Sequence, residues 1–178
     1  MNATAGPVAT ARKFLTQLLR LHDGLTRATF WAAMAAVAYL TAATAIEVVL
    51  RYVFRSPSGW APDTSAVAFA FIAFLAAPEL TRSCGHASMN FVVERAPAWL
   101  SVWMVRLSLL AGAGVCALLT WFGAIETQRQ VLRGVMMISV TPIPKWLVTG
   151  AIVYGLGSSA LYFLRALAAS FVRTAEGG

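Results

Sequence analysis

Residues 47–91 read EVVLRYVFRSPSGWAPDTSAVAFAFIAFLAAPELTRSCGHASMNF. An apolar run ends at Arg51-Tyr52-Val53-Phe54. Arg55-Ser-Pro-Ser-Gly59 then supplies a turn, because proline fixes φ and serine and glycine favour non-helical backbone. Trp60 opens a second apolar run, with Pro62 in its first turn, where a missing N–H costs least. That run ends near Glu79 and passes into a basic segment holding Arg82, His86 and Asn90. Two long apolar runs joined by so short a polar turn predict an antiparallel pair of membrane-spanning helices.

The rest of the chain extends this pattern. Of 178 residues, 59% are hydrophobic and 12% charged. Soluble domains carry about 25% charged residues. Mean hydropathy is +0.71. A helix rises about 1.5 Å per residue, so roughly 20 apolar residues cross a hydrocarbon core about 30 Å thick. Four segments qualify: Trp31–Leu50, Trp60–Leu80, Leu107–Ile125 and Trp146–Leu164. The expected fold is an all-α membrane protein with four transmembrane helices, at about 31–53, 60–81, 102–125 and 145–167. The composition predicts a disordered 1–10, a single domain over 11–168 and a tail at 169–178. The first apolar run starts too late and is too long for a cleavable signal peptide.

Two further helices are expected outside the spans. Phe14, Leu18, Leu21 and Leu25 recur at helical spacing, with Arg12, Lys13, Gln17 and Arg20 elsewhere on the wheel. This predicts an N-terminal amphipathic helix over Ala11–Leu25. An extension of the first span fits the same residues, and Gly24 permits a bend between the two. Met89, Val92, Val93 and Ala96 share a face ahead of Pro97. They predict a short interfacial helix lying on the cytoplasmic surface or packed on a partner.

The net charge of +7 does not indicate nucleic acid, because the cations are distributed by side of the membrane. Arg12, Lys13, Arg20, Arg27, Arg82, Arg95, Arg106, Arg165 and Arg173 fall on one side of a four-span topology. Arg51, Arg55, Arg129, Arg133 and Lys145 fall on the other. Nine against five favours cytoplasmic termini by the positive-inside rule.

Candidate chemistry is sparse. Glu47 and Arg51 stand four apart with the acid first, the favourable order for a helical ion pair. Glu47 reads either as a proton-coupling carboxylate or as a paired charge near a helix end. Its off-centre position and adjacent cation favour the second. Glu79 and Arg82, three apart, pair in the same way. His22 and His86 lie outside the spans, where membrane haem ligands are not expected. Cys84 and Cys116 suggest neither a disulfide nor a metal site. The chain has no phosphate-binding loop and no metal-ligand motif, so neither an enzyme nor an ATPase is expected, and no cofactor. No internal repeat suggests the inverted halves of many self-sufficient carriers. Small residues four apart, at Ala32 and Ala36, Ala113 and Ala117, and Gly155 and Ser159, mark faces for close helix contact.

From about Phe30 to Leu167 the chain resembles the small membrane subunit (DctQ-like) of the tripartite ATP-independent periplasmic (TRAP) transporters. The resemblance rests on Arg51-Tyr52-Val53-Phe54 and on Trp60 followed by the acid Asp63. Arg82, Gly85-His86, Met89-Asn90 and Pro97 carry it further, as does Pro142-Ile-Pro144 with Trp146. The chain departs from the family in having one acid after Trp60, Asn90 in place of an acid, and Glu79 at a usually small apolar position. The resemblance implies a scaffold subunit in the bacterial inner membrane that braces a large transport subunit. It implies ion-gradient-driven import of an organic acid delivered by a periplasmic binding protein, with membrane lipids, anionic ones included, as further partners. Under this reading Glu47, Arg51, Trp60, Asp63, Arg82, His86 and Asn90 are candidate partner or interface contacts. The alternative is a self-sufficient four-helix proton-coupled exporter, for which the long N-terminus and the 82–98 segment are poorly suited.

Overall fold

The computed structural model describes residues 7–84, 97–137 and 141–176. Four helices account for nearly all of them: α1 Pro7–Tyr52, α2 Ala61–Cys84, α3 Ala98–Arg133 and α4 Lys145–Glu176. Each is long and apolar enough to cross a membrane.

α1 is one helix of 46 residues, about 70 Å long. Pro7 suits its first turn, where no intrahelical N–H is needed. Among the described residues there is no separate N-terminal helix. Residues 11–25 run unbroken into the first span, and Gly24 lies within the helix. The polar residues just after Gly24 account for this, because they are held against α4 rather than left at a bend. The expected interfacial helix around Met89–Ala96 lies outside the described residues. α4 continues through most of the expected tail, as far as Glu176.

The ends of the spans follow local chemistry. α3 starts after Pro97, whose backbone is extended rather than helical (φ −54°, ψ 145°). It stops at Gly134, in the left-handed region at φ 59°. There Gly134 N donates to Val131 O and Val135 N to Gln130 O, satisfying carbonyls that the last turn leaves open. Thr141-Pro-Ile-Pro144 then folds back on 135–137, with Met137 N donating to Ile143 O (2.9 Å) and Lys145 N to Val135 O (3.1 Å).

The helices form a row in the order α1, α2, α4, α3. α2 and α4 are the inner helices, each with a neighbour on both sides, and the contact of α4 with α3 is the most extensive. The residues that close these contacts are mostly small: Ala33, Ala43, Ala68, Ala113 and Ala160 are buried, as are Ser158 and Ser159. Without a hydrophobic drive between helices in lipid, close backbone approach supplies the attraction. Of the small-residue pairs, Gly155 and Ser159 are both buried, whereas Ala32 and Ala117 are exposed. Threonine hydroxyls inside the spans donate to carbonyls of the preceding turn, as Thr41 does to Val37 and Thr120 to Cys116. This satisfies them where water is absent.

Candidate functional site

Polar side chains gather at the two ends of the row. At the end holding the 53–60 turn and the 134–144 connection, Glu47 is the organising group. Its Oε1 accepts from Arg51 Nη2 at 3.0 Å. Its Oε2 accepts from the backbone N of Ser58 at 3.1 Å and from the Ser58 hydroxyl. The carboxylate therefore ties the turn back to α1. Arg55, at φ 52°, reverses the chain, and Ser56 N donates to Leu50 O. A non-glycine residue in the left-handed region is uncommon, and the Glu47 clamp helps to hold it there.

Trp60 stands at the start of α2, where its carbonyl accepts from the backbone N of Thr64 (3.0 Å) and from the Thr64 hydroxyl (2.9 Å). Its ring is partly exposed at this helix end. Asp63 Oδ2 accepts from Thr141 N at 3.2 Å, joining the opening of α2 to the connection between α3 and α4. Beside it, buried Gln130 receives Thr149 Oγ1 at 2.9 Å and reaches Glu126 at 3.2 Å.

The opposite end lies toward the start of α1 and the end of α4. Here Asp23 of α1 meets Arg165 of α4 through two contacts, Nη1 to Oδ1 at 2.7 Å and Nη2 to Oδ2 at 3.4 Å. The Tyr162 hydroxyl lies 2.9 Å from Asp23 Oδ1 and 3.1 Å from Thr26 Oγ1. With one proton to give, it donates to the carboxylate, the stronger acceptor. Thr26 is fully buried and donates to the His22 carbonyl at 2.9 Å. The His22 ring packs on Tyr162 with centroids 5.0 Å apart. Nearby, Arg82 Nη2 bonds Glu79 Oε1 at 2.9 Å.

The candidate contacts from sequence therefore separate. Glu47, Arg51, Trp60 and Asp63 share one end, and Arg82 lies at the other. His86 and Asn90 lie outside the described residues. Sequence reasoning missed Ser58, Thr141, the Gln130–Thr149 pair and the Asp23 cluster. Asp23 did carry a signal, being the first acid of the chain in a stretch of cations. Among the described residues, no three His, Cys, Asp or Glu side chains gather as a metal site. Among the described residues two open grooves are present, one of about 260 Å³ along Ala45, Ile46, Val49 and Leu50 and one of about 290 Å³ beside Ile125 and Leu132.

A four-helix membrane row with polar clusters at its ends narrows the families to compare. A model of the family described as "Tripartite ATP-independent periplasmic transporters, DctQ component" matches residues 40–173. The chain belongs to the DctQ family. The match begins within α1 and runs through α2 and α3 almost to the end of α4. No curated protein matches the chain. DctQ membership makes it a small component of a tripartite transporter, a class that is not enzymatic, and a multi-pass inner-membrane protein.

Proposed function

We propose that this DctQ chain braces a large transport subunit during ion-gradient-driven import of an organic acid delivered by a periplasmic binding protein. The observation that supports this reading most is the single-row arrangement. α1 and α3 stand at its edges and leave large apolar side chains uncovered, Trp31, Met34 and Ile46 on α1 and Trp103, Leu107 and Trp121 on α3. A row one helix thick has no interior for a substrate path, but it offers long apolar surfaces to a membrane partner.

The distribution of cations supports cytoplasmic termini, and in that orientation the 53–60 turn and the 134–144 connection face the periplasm. In that orientation Glu47, Arg51, Trp60 and Asp63 shape the periplasmic end, and Arg82, His86 and Asn90 mark the cytoplasmic side. Glu47 serves structure rather than proton transfer, because both its oxygens are engaged by Arg51 and Ser58. Exposed Arg20 and Arg27 suit anionic lipid headgroups.

Uptake of labelled organic acids by cells or vesicles lacking this chain tests the proposal. Uptake should disappear when the chain is removed and return when it is supplied. Full uptake without it would contradict the bracing role.

A further inference from the structure

The cluster of Asp23, Thr26, Tyr162 and Arg165 joins two helices that are not neighbours in the row. α1 packs along α2 and α2 along α4, yet near its first third α1 reaches α4 through these side chains. Asp23 also precedes residues 40–173, so the family match does not account for it. We infer that this cluster is a latch. It holds the N-terminal arm of α1, up to about residue 25, in line with the span. When it is released, the arm pivots at Gly24 and lies on the lipid surface.

Three observations carry the inference. First, α1 has three distinct faces on either side of Gly24, over residues 18–27. His22, Asp23 and Thr26 face α4. Leu18, Leu21 and Leu25 form a second face and are 48%, 71% and 52% exposed. Arg20 and Arg27, exposed and without an ion pair among the described residues, form the third. On the arm side of Gly24, the apolar face of Leu18 and Leu21 with the cation Arg20 on another face is the pattern of a helix that lies on an anionic lipid surface. Second, the latch is built for strength in one place. Arg165 grips both carboxylate oxygens, Tyr162 adds a third bond to Asp23, and the guanidinium sits 5.3 Å from the Tyr162 ring centroid. A two-pronged guanidinium–carboxylate pair fixes direction as well as distance. Third, a pivot is present at the right position. Gly24 follows Asp23 directly, and a Cβ built there meets nothing within 4 Å, so no neighbour crowds the backbone at the pivot itself. Glycine also weakens the helix there. The latch does not depend on the bracing role, because it concerns contacts within the chain.

The test uses the full chain in vesicles of mixed neutral and anionic phospholipid. Cys84 and Cys116 are replaced by serine, and spin labels are attached at Leu18→Cys and Ala169→Cys. With the latch intact, the label pair should give one narrow distance distribution. Asp23→Ala and Arg165→Ala should each broaden it and shift it to longer distances. The label at position 18 should then gain collision with lipid-dissolved oxygen. The exchanged pair Asp23→Arg with Arg165→Asp should restore the narrow distribution. Tyr162→Phe keeps the ion pair and the ring, and should produce a smaller shift in the same direction if the larger changes prevent folding. Distances unchanged in Asp23→Ala and in Tyr162→Phe would overturn the latch. Longer distances without a gain in oxygen collision would overturn the surface-bound state.

Discussion

Gly155 brings α4 directly against the backbone carbonyl of Phe74 in α2, and a Cβ at that position would run into the carbonyl oxygen. Backbone cannot yield as a flexible side chain does, so the two helices must separate to admit even one methyl group. Gly155→Ala should cost about 1–3 kcal/mol through overpacking. Gly114 is the control, since a Cβ there meets nothing within 4 Å. Gly114→Ala should be neutral or stabilise by about 0.5–1 kcal/mol, as an exposed helix glycine gives way to a better helix former. Unfolding midpoints in mixed micelles measure both. Equal effects at the two positions would contradict the contact.

Glu47 separates a structural role from a proton-coupling one. Glu47→Gln keeps one oxygen to accept from Ser58 and gives up the charge and the acceptor that meet Arg51. In the assembled transporter it should retain nearly all uptake. Glu47→Ala should loosen the 53–60 turn and reduce the yield of complex. Loss of uptake in Glu47→Gln, with the complex still assembled, would assign the carboxylate to proton transfer instead.

Asp63 links two segments far apart in sequence by receiving the amide of Thr141. Asp63→Ala should speed hydrogen exchange at that amide, and Asp63→Asn, which keeps an oxygen acceptor, should speed it less. The exchange rate read by mass spectrometry checks this. No change in either variant would mean that the connection is held by other contacts.

Gln130 is only 5% exposed and joins α3 to α4 through Thr149. Gln130→Leu removes the bond between the helices while Thr149 keeps the Lys145 carbonyl at 3.2 Å, so it should destabilise by about 0.5–1.5 kcal/mol. Next to it, Gly134→Ala forces a Cβ into the left-handed region and should cost about 1–2 kcal/mol. Both are read from the same unfolding midpoints.

The four helices were legible in the sequence because hydrophobic runs and turn residues are local signals. Leu107–Ile125 announced α3, and Pro97 and Pro142–Pro144 marked where spans begin. Helix lengths were less legible. α3 and α4 extend past their apolar cores, because Arg106, Glu126 and Arg129 are as compatible with helix as with loop once neighbours pack beside them. The Glu47–Arg51 pair was visible because four-residue spacing places both on one face. Its third partner, Ser58, was not, since the turn geometry decides which serine returns to the carboxylate. The same limit applies to Asp23 and Arg165. Each reads as an ordinary interfacial charge until the crossing of α1 and α4 brings them within 2.7 Å. The row order α1, α2, α4, α3 also lay beyond the sequence, because small residues recur on several faces and only packing selects among them.

Pairing with a large transport subunit is read by native mass spectrometry of the chain purified through its own tag, after co-expression with a large polytopic membrane subunit. A bracing subunit should appear in a stable species containing one copy of each, dissociating only under strong activation. A homodimer or a lone monomer, with the large subunit absent, would contradict that pairing.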